Sequence, residues 1–171
     1  MNCSLVTVNK LLAKAPFNCG YPELNQYLRQ YAVKNDQLAI GKTFVALSET
    51  KEIVGYFTVS TAQIAAETLP DVLKAKLPRY PVPAFRIGKL AVDLRFQGYK
   101  VGRWLLTKAL EKALEVSQSV GLYAILVDAI DEKAKSFYVK YGFVPLTEYP
   151  LTLFLPLATI KAAFKQGQHN V

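Results

Sequence analysis

Leu90-Ala91-Val92-Asp93-Leu94-Arg95-Phe96-Gln97-Gly98-Tyr99-Lys100-Val101-Gly102-Arg103-Trp104-Leu105-Leu106 is the stretch whose reading decides the fold. Residues 90–93 read as the end of a strand. From Val101 the pattern turns helical: Leu105, Leu106, Ala109, Leu110, Ala113, Val116 and Val120 share one face, and Arg103, Lys108, Glu111, Lys112 and Glu115 the other. The loop between them carries Gly98 and Gly102. Glycine lets backbone N–H groups come close to a ligand. The first N–H groups of a helix lack internal partners and sit at the positive end of its dipole. Strand, glycine-bearing loop and helix start together make an anion site, most naturally for phosphate. The spacing is neither that of a P-loop, which closes on Gly-Lys-Ser/Thr, nor that of the GxGxxG dinucleotide fingerprint.

Upstream, residues 85–92 read as a strand with a defect. Phe85 and Ile87 share one parity, Leu90 and Val92 the other. A switch at Gly88-Lys89 is what a β-bulge produces, and burial of both faces would give the same pattern. Residues 79–83, Arg-Tyr-Pro-Val-Pro, read as extended, because proline fixes its own φ and restricts the residue before it. Residues 68–77 read as a short helix with Pro70 near its start. Residues 43–47 and 53–64 read as antiparallel strands joined by the polar turn 48–51. Pro22 suits a first helical position, and Leu24, Tyr27, Leu28, Tyr31 and Ala32 follow as a helical stripe. Residues 4–8 form a first strand and 10–15 a short helix or turn.

Downstream, residues 122–129 are a continuous apolar run, the mark of a buried parallel strand. Asp131 can cap the next helix, on which Ala134, Phe137, Tyr138 and Tyr141 share one face and which Gly142 stops. Residues 143–146 and 151–155 read as strands and 157–164 as a helix. The tail, 166–171, reads as frayed. Residues 1–171 are expected to form a single domain.

The apolar share of 51% and aromatic share of 12% make the chain globular rather than disordered. Its formal net charge is +8, with Lys and Arg spread along the sequence. That points to a basic face meeting a polyanion, or to a basic enzyme whose anionic ligand is a cofactor. Two cysteines, Cys3 and Cys19, and one histidine, His169, leave disulfide frameworks, zinc sites and His-dependent triads without candidates. No apolar run reaches membrane-spanning length and the N-terminus lacks a signal-peptide layout, so the expected location is the cytoplasm. What remains is direct transfer between bound substrates, for which a tyrosine can act as general acid.

Gln97-x-x-Lys100-x-Gly102 resembles the Gln/Arg-x-x-Gly-x-Gly/Ala loop of the GNAT acetyltransferases, whose amides hold the pyrophosphate of acetyl-CoA. Lys100 stands where that pattern has its first glycine. Phe137-Tyr138-Val139-Lys140-Tyr141-Gly142-Phe143 is similar to the Phe-Tyr…Gly-Phe segment of the same family, whose tyrosine hydroxyl points at the thioester sulfur. The resemblance implies an α/β (α+β) GNAT fold: a central mixed, mostly antiparallel sheet with a splayed parallel strand pair and flanking helices. It implies acetyl-CoA as co-substrate and no metal. Backbone at Leu90, Ala91 and Val92 would meet the thioester and pantetheine. Gln97, Gly98, Tyr99, Lys100, Val101, Gly102 and Arg103 would surround the pyrophosphate, and Ala134 and Phe137 would lie along the cofactor. Tyr138 would be the catalytic acid, although a core aromatic fits the same stripe. Asp93 could serve as a base, but a carboxylate beside Arg95 is more often an ion pair or cap.

Further matches narrow the resemblance. Phe17-x-Cys19-Gly20 followed by Leu24-Asn25-x-Tyr27-Leu28, then Gly88-Lys89-Leu90-Ala91-Val92-Asp93, then Pro150-Leu151-Thr152-Leu153-Phe154-Leu155-Pro156-Leu157 are similar to segments of the GNAT toxins of bacterial toxin–antitoxin pairs, of the TacT and AtaT kind. Membership there implies acetylation of the α-amine of aminoacyl-tRNA, a block of translation, a homodimer and a ribbon-helix-helix antitoxin. An α-amine, with a pKa of about 7.7–8.0, needs less help from a base than a lysine at about 10.4. Arg79, Arg86, Lys89 and Arg95 are the candidate tRNA contacts, with Lys10, Lys14, Arg29 and Lys34 on the N-terminal segments; solvated surface charge is the alternative for each. Two rival functions stay open: a GNAT acting on a protein N-terminus or small amine, and an inactive CoA- or RNA-binding module.

Overall fold

In chain order the elements are strand β1 (Ser4–Thr7), helices α1 (Lys10–Ala13) and α2 (Pro22–Gln26), a π-helical turn (Tyr27–Tyr31), helix α3 (Ala32–Gln37), strands β2 (Lys42–Leu47) and β3 (Ile53–Ile64), and helix α4 (Asp71–Lys74). Then come β4 (Val82–Val92), α5 (Val101–Ser117), β5 (Ala124–Asp128), α6 (Glu132–Lys140), β6 (Val144–Leu146), β7 (Tyr149–Pro156) and α7 (Leu157–His169). This is a computed structural model, and it describes residues 2–169. The strands form one seven-stranded sheet in the order β1-β2-β3-β4-β5-β7-β6. It is mixed and mostly antiparallel, with β4 and β5 as the parallel pair, Ala84 opposite Ala124 through Ile87 opposite Val127.

The chain divides into two compact units, Met1–Ser60 with Gly88–Ala109, and Thr61–Ile87 with Leu110–Val171. In the first, β2 and β3 carry consecutive buried residues, so both of their faces are covered. Tyr56, Phe57, Leu28 and Leu105 are the large side chains of its core. In the second, Ile64, Leu69, Val82, Leu126, Leu146 and Phe154 make a continuous apolar cluster.

Several elements depart from their expected form. The helix expected at 68–77 is broken: a 3-10 turn at Ala66–Thr68 is followed by α4, with Pro70 as its N-cap. Pro70 forces Leu69 into the extended region (φ −85°, ψ 155°), so no helix can run through it. The chain bends at Arg79 and Tyr80 before β4 begins at Val82. Buried side chains in β4 change parity between Ala84 and Phe85 rather than at Gly88-Lys89: Ala91 keeps the parity of Phe85 and Ile87, while Leu90 and Val92 are half-buried. Where both faces are covered, alternation carries little information.

Helix α5 ends at Ser117, which leaves Val120 beyond it at 53% exposure, and Val116 in its last turn is 38% exposed. The tail expected to fray from Gln166 is helical through His169. Leu157 and Ile160 bury one side of α7, and a nucleated helix propagates at little cost. Asn170 and Val171 lie outside the described residues.

Candidate functional site

The exit of β4 is pinned by a polar network within the first unit. Asp93 is 2% exposed. Its Oδ2 accepts from the Asn18 N–H (3.0 Å), and its Oδ1 accepts from the Arg95 N–H and Nε, both at 2.9 Å. The Asp93 N–H donates to Val54 O (2.9 Å) and the Leu94 N–H to Asn18 O (2.8 Å). Burial alone would raise the Asp93 pKa, but the bonds from Arg95 and Asn18 outweigh it and hold the carboxyl below its ordinary range. An ionised, fully engaged carboxylate is a poor base. Asp93 is the N-cap of the turn Leu94–Phe96 and the anchor of the strand exit.

The same network explains the Phe17-Asn18-Cys19-Gly20…Asn25 motif. Asn18 Oδ1 accepts from the Gly20 N–H (2.9 Å) and from Asn25 Nδ2 (3.0 Å), and Asn25 Oδ1 accepts from the Cys19 N–H (2.8 Å). Gly20 has φ +91°, and a Cβ there would stand 3.3 Å from Leu94 Cδ2. The ring of Phe17 packs edge-on against Tyr56 at 5.5 Å. The Cys19 thiol is buried, which raises its pKa, and it donates to Tyr21 O; it is a packed group, not a nucleophile.

Gly55 on β3 permits a second close approach. A Cβ there would meet Ala91 O at 2.6 Å and Leu105 Cδ1 at 2.7 Å, so the strand end and the first part of α5 close onto bare backbone. Sequence reasoning missed Asn18, Asn25 and Gly55. The asparagines lay inside a quoted motif, whereas a glycine in a long strand carries no signal beyond hinting at close approach.

Gln97 spends its side chain on the scaffold. Its Nε2 donates to Val92 O (3.0 Å) and Cys19 O (3.3 Å), so both amide hydrogens are committed to the scaffold. Residues 97–100 are exposed. Gly98 has φ +88° and Lys100 φ +62°. Lys100 therefore takes the left-handed conformation that a glycine in its place would adopt without strain. The departure from the family pattern thus puts a lysine in a conformation that favours glycine. A left-handed residue followed by the helical Val101, Gly102 and Arg103 turns successive N–H groups toward one point, a nest for an anion. The first turn of α5 has no acidic residue, and Lys100 and Arg103 add positive charge at the positive end of the dipole. That arrangement is unfavourable alone and favourable with an anion present. It fits the pyrophosphate of acetyl-CoA.

The second unit holds Tyr138. Asp131 caps α6, its Oδ1 accepting from the Ala134 N–H at 2.9 Å. The helix stops where Gly142 takes φ +94° and the Phe143 N–H reaches back to Tyr138 O (3.2 Å). Tyr138 is 3% exposed, with the rings of Phe137 (5.3 Å) and Phe143 (5.7 Å) edge-on to it. Burial, and secondarily the negative charge of Asp128, push its pKa well above the usual tyrosine range, so it keeps its proton. The other deeply buried tyrosine, Tyr56, donates to Leu24 O at 2.7 Å. A protonated hydroxyl can donate to a substrate. Ala134 and Phe137 are half-buried on the same helix, and Tyr141 packs edge-on against Phe137 at 5.1 Å.

The four candidate tRNA contacts sit in different settings. Arg79 is exposed at a bend. Arg86 pairs with Asp128 (2.9 Å), and Arg95 is shared between Asp93 (2.9 Å) and Glu52 (3.0 Å). Lys89 holds its ammonium 4.2 Å from the centre of the Tyr27 ring. Lys14 and Arg29 line an open pocket of about 250 Å³ with Phe17 and Asn25. No group of three or more His, Cys, Asp or Glu that could hold a metal occurs among the described residues. No helix among them is long and apolar enough to cross a membrane.

Comparison with known proteins agrees with this geometry. A family model described as an acetyltransferase (GNAT) domain matches residues 39–145. A tRNA-acetylating toxin of Mycobacterium tuberculosis is 32% identical over 85% of this chain and 87% of its own. The solved structure of AtaT complexed with acetyl-methionyl-tRNAfMet is 26% identical with a TM-score of 0.85, covering 95% of this chain and 99% of that one. The crystal structure of AtaTR bound with AcCoA is 28% identical with a TM-score of 0.80, covering 95% and 98%. The anion nest at the start of α5, the protonated tyrosine on α6 and these likenesses place the chain in one family: it belongs to the GNAT acetyltransferases.

Proposed function

We propose that this acetyltransferase moves the acetyl group of acetyl-CoA to the α-amine of aminoacyl-tRNA and blocks translation as the toxin of a toxin–antitoxin pair. The observation that carries the acceptor is the 32% identity to a tRNA-acetylating toxin over most of both chains. The basic charge of +8 agrees, since phosphates supply most of the affinity of a basic protein for RNA. The toxin resemblance extends the reading to a homodimer, a cytoplasmic location and a ribbon-helix-helix antitoxin. Co-purification of such a partner encoded beside the toxin checks the last point.

Each region has a role in this chemistry. The backbone of Gln97, Gly98, Tyr99, Lys100, Val101 and Gly102, with the Arg103 side chain, holds the pyrophosphate. Backbone N–H groups at Leu90, Ala91 and Val92 orient the pantetheine and polarise the thioester carbonyl. The neutral α-amine attacks that carbonyl; a C–N bond forms as the C–S bond breaks. Tyr138 gives its proton to the departing thiolate and recovers one from the nitrogen that has become an amide. Ala134 and Phe137 keep water from the thioester. No residue need act as a strong base, because part of an α-amine is already neutral near pH 7.

The test is transfer of labelled acetyl to a panel of acceptors: charged tRNA, the same tRNA uncharged, a free peptide N-terminus and a polyamine. Label appearing on charged tRNA alone, with affinity falling steeply as salt rises, supports the proposal. Label on peptides or polyamines, with charged tRNA untouched, contradicts it.

A further inference from the structure

The first unit holds an aromatic group that the chemistry above leaves unused. Tyr27 and Tyr31 lie on the π-helical turn, whose wider spacing is marked by the Ala32 N–H donating to Tyr27 O. Such turns are frequent at functional sites. The two rings stack at 6.5 Å with planes 28° apart. Tyr27 also stacks on the buried Tyr56 at 6.3 Å, and its hydroxyl accepts from Asn35 Nδ2 (3.2 Å). Tyr27 is therefore fixed on two sides, and Lys89 lies against its ring. Tyr31, at the outer end of the group, is 48% exposed. A rigid aromatic surface beside a cation is the form of platform on which unpaired nucleobases stack.

Covalent geometry says which base. Lys89 directly precedes Leu90, where the backbone is assigned to the thioester. The reacting amine belongs to an ester on the terminal ribose of the acceptor, a few bonds from the base of that same nucleotide. We propose that Tyr31, braced by Tyr27, is the platform for the 3′-terminal nucleobase of the charged acceptor, with the Lys89 ammonium serving its phosphate. This rests on aminoacyl-tRNA being the acceptor.

The experiment compares wild type, Tyr31→Ala and Tyr31→Trp on three acceptors: charged tRNA, a 3′-aminoacyl-adenosine and the methyl ester of the same amino acid. Tyr31→Ala should raise KM for charged tRNA about ten- to a hundredfold, the worth of one stacked base. It should erase the preference for aminoacyl-adenosine over methyl ester. Acetyl-CoA affinity, the melting temperature and methyl-ester turnover should stay at wild-type values, and Tyr31→Trp should restore the preference. A Tyr31→Ala protein with wild-type KM on charged tRNA, or one that loses the methyl ester equally, overturns the platform. A wild type inactive on charged tRNA but active on peptides removes the acceptor, and the platform with it.

Discussion

The exit of β4 at Asp93 and the helix carrying Tyr138 hold their key atoms by opposite means. At the exit, charged and directional bonds do the work: Asp93 takes hydrogen bonds from Asn18 and Arg95, and Arg95 passes on to Glu52. On α6 the surroundings of the Tyr138 ring are aromatic edges. The contrast teaches what each region must supply. An exposed loop that presents backbone N–H groups to an anion has little apolar burial to fix it, so its base is tied down by ionic hydrogen bonds. A proton donor for a thiolate must keep its proton, which apolar walls ensure. Tyr56 shows the other outcome: burial with a satisfied hydroxyl makes a structural tyrosine.

Changes at the two regions should therefore fail differently. The largest effect is expected from Gly102→Glu, which puts a carboxylate at the anion nest. Like-charge juxtaposition costs several kcal/mol, so calorimetry should show the Kd for acetyl-CoA rising about a hundredfold or more. Next is Asp93→Ala, which strands Asn18 and Arg95 and should lower stability by about 2–3 kcal/mol in urea unfolding. Because the folded carboxyl titrates below its ordinary value of about 3.9, its contribution is complete above that pH. It is lost as pH falls through the lowered value. The gap between wild type and Asp93→Ala should be flat from pH 8 to 5 and shrink below about pH 4.

Gly55→Ala comes third. Its Cβ would press on Ala91 O and Leu105, and overpacking of this kind costs about 1–3 kcal/mol. The displaced strand end should also weaken acetyl-CoA binding. The smallest effect belongs to Lys100→Gly. It relieves about 1–2 kcal/mol of left-handed strain and gives back about 0.5–1 kcal/mol of chain entropy. Thermal unfolding should show a gain of between about 0 and 1.5 kcal/mol.

What could be read from sequence follows the same divide. Tyr138, Asp131 and Gly142 were legible because helix caps, stops and stripes are local. The loop was legible through its spacing, but the conformation of Lys100 was not: a left-handed lysine is a property of the backbone around it. Gln97 was legible as a loop residue and not as a brace, because Cys19 and Val92, which it ties together, lie far apart in the chain. Asn18 meets Asp93 across a similar gap, which no periodicity reports. Arg86 and Arg95 read as candidate tRNA contacts; a pairing of Arg95 with Asp93 was legible from their closeness in the chain, but only the fold brings Asp128 to Arg86 and Glu52 to Arg95. Val120 continued the apolar stripe of α5 on paper, but the helix ends at Ser117, before the stripe does.

The most direct measurement is the single-turnover rate of Tyr138→Phe, saturated with acetyl-CoA and charged tRNA. The substitution removes one oxygen and keeps the ring that Phe137 and Phe143 pack against. If the hydroxyl delivers the proton to the thiolate, the rate should fall by about 10²–10⁴, with acetyl-CoA affinity and melting temperature unchanged. A Tyr138→Phe protein that acetylates charged tRNA at the wild-type rate would contradict the role given to α6 and leave Tyr138 as a core aromatic.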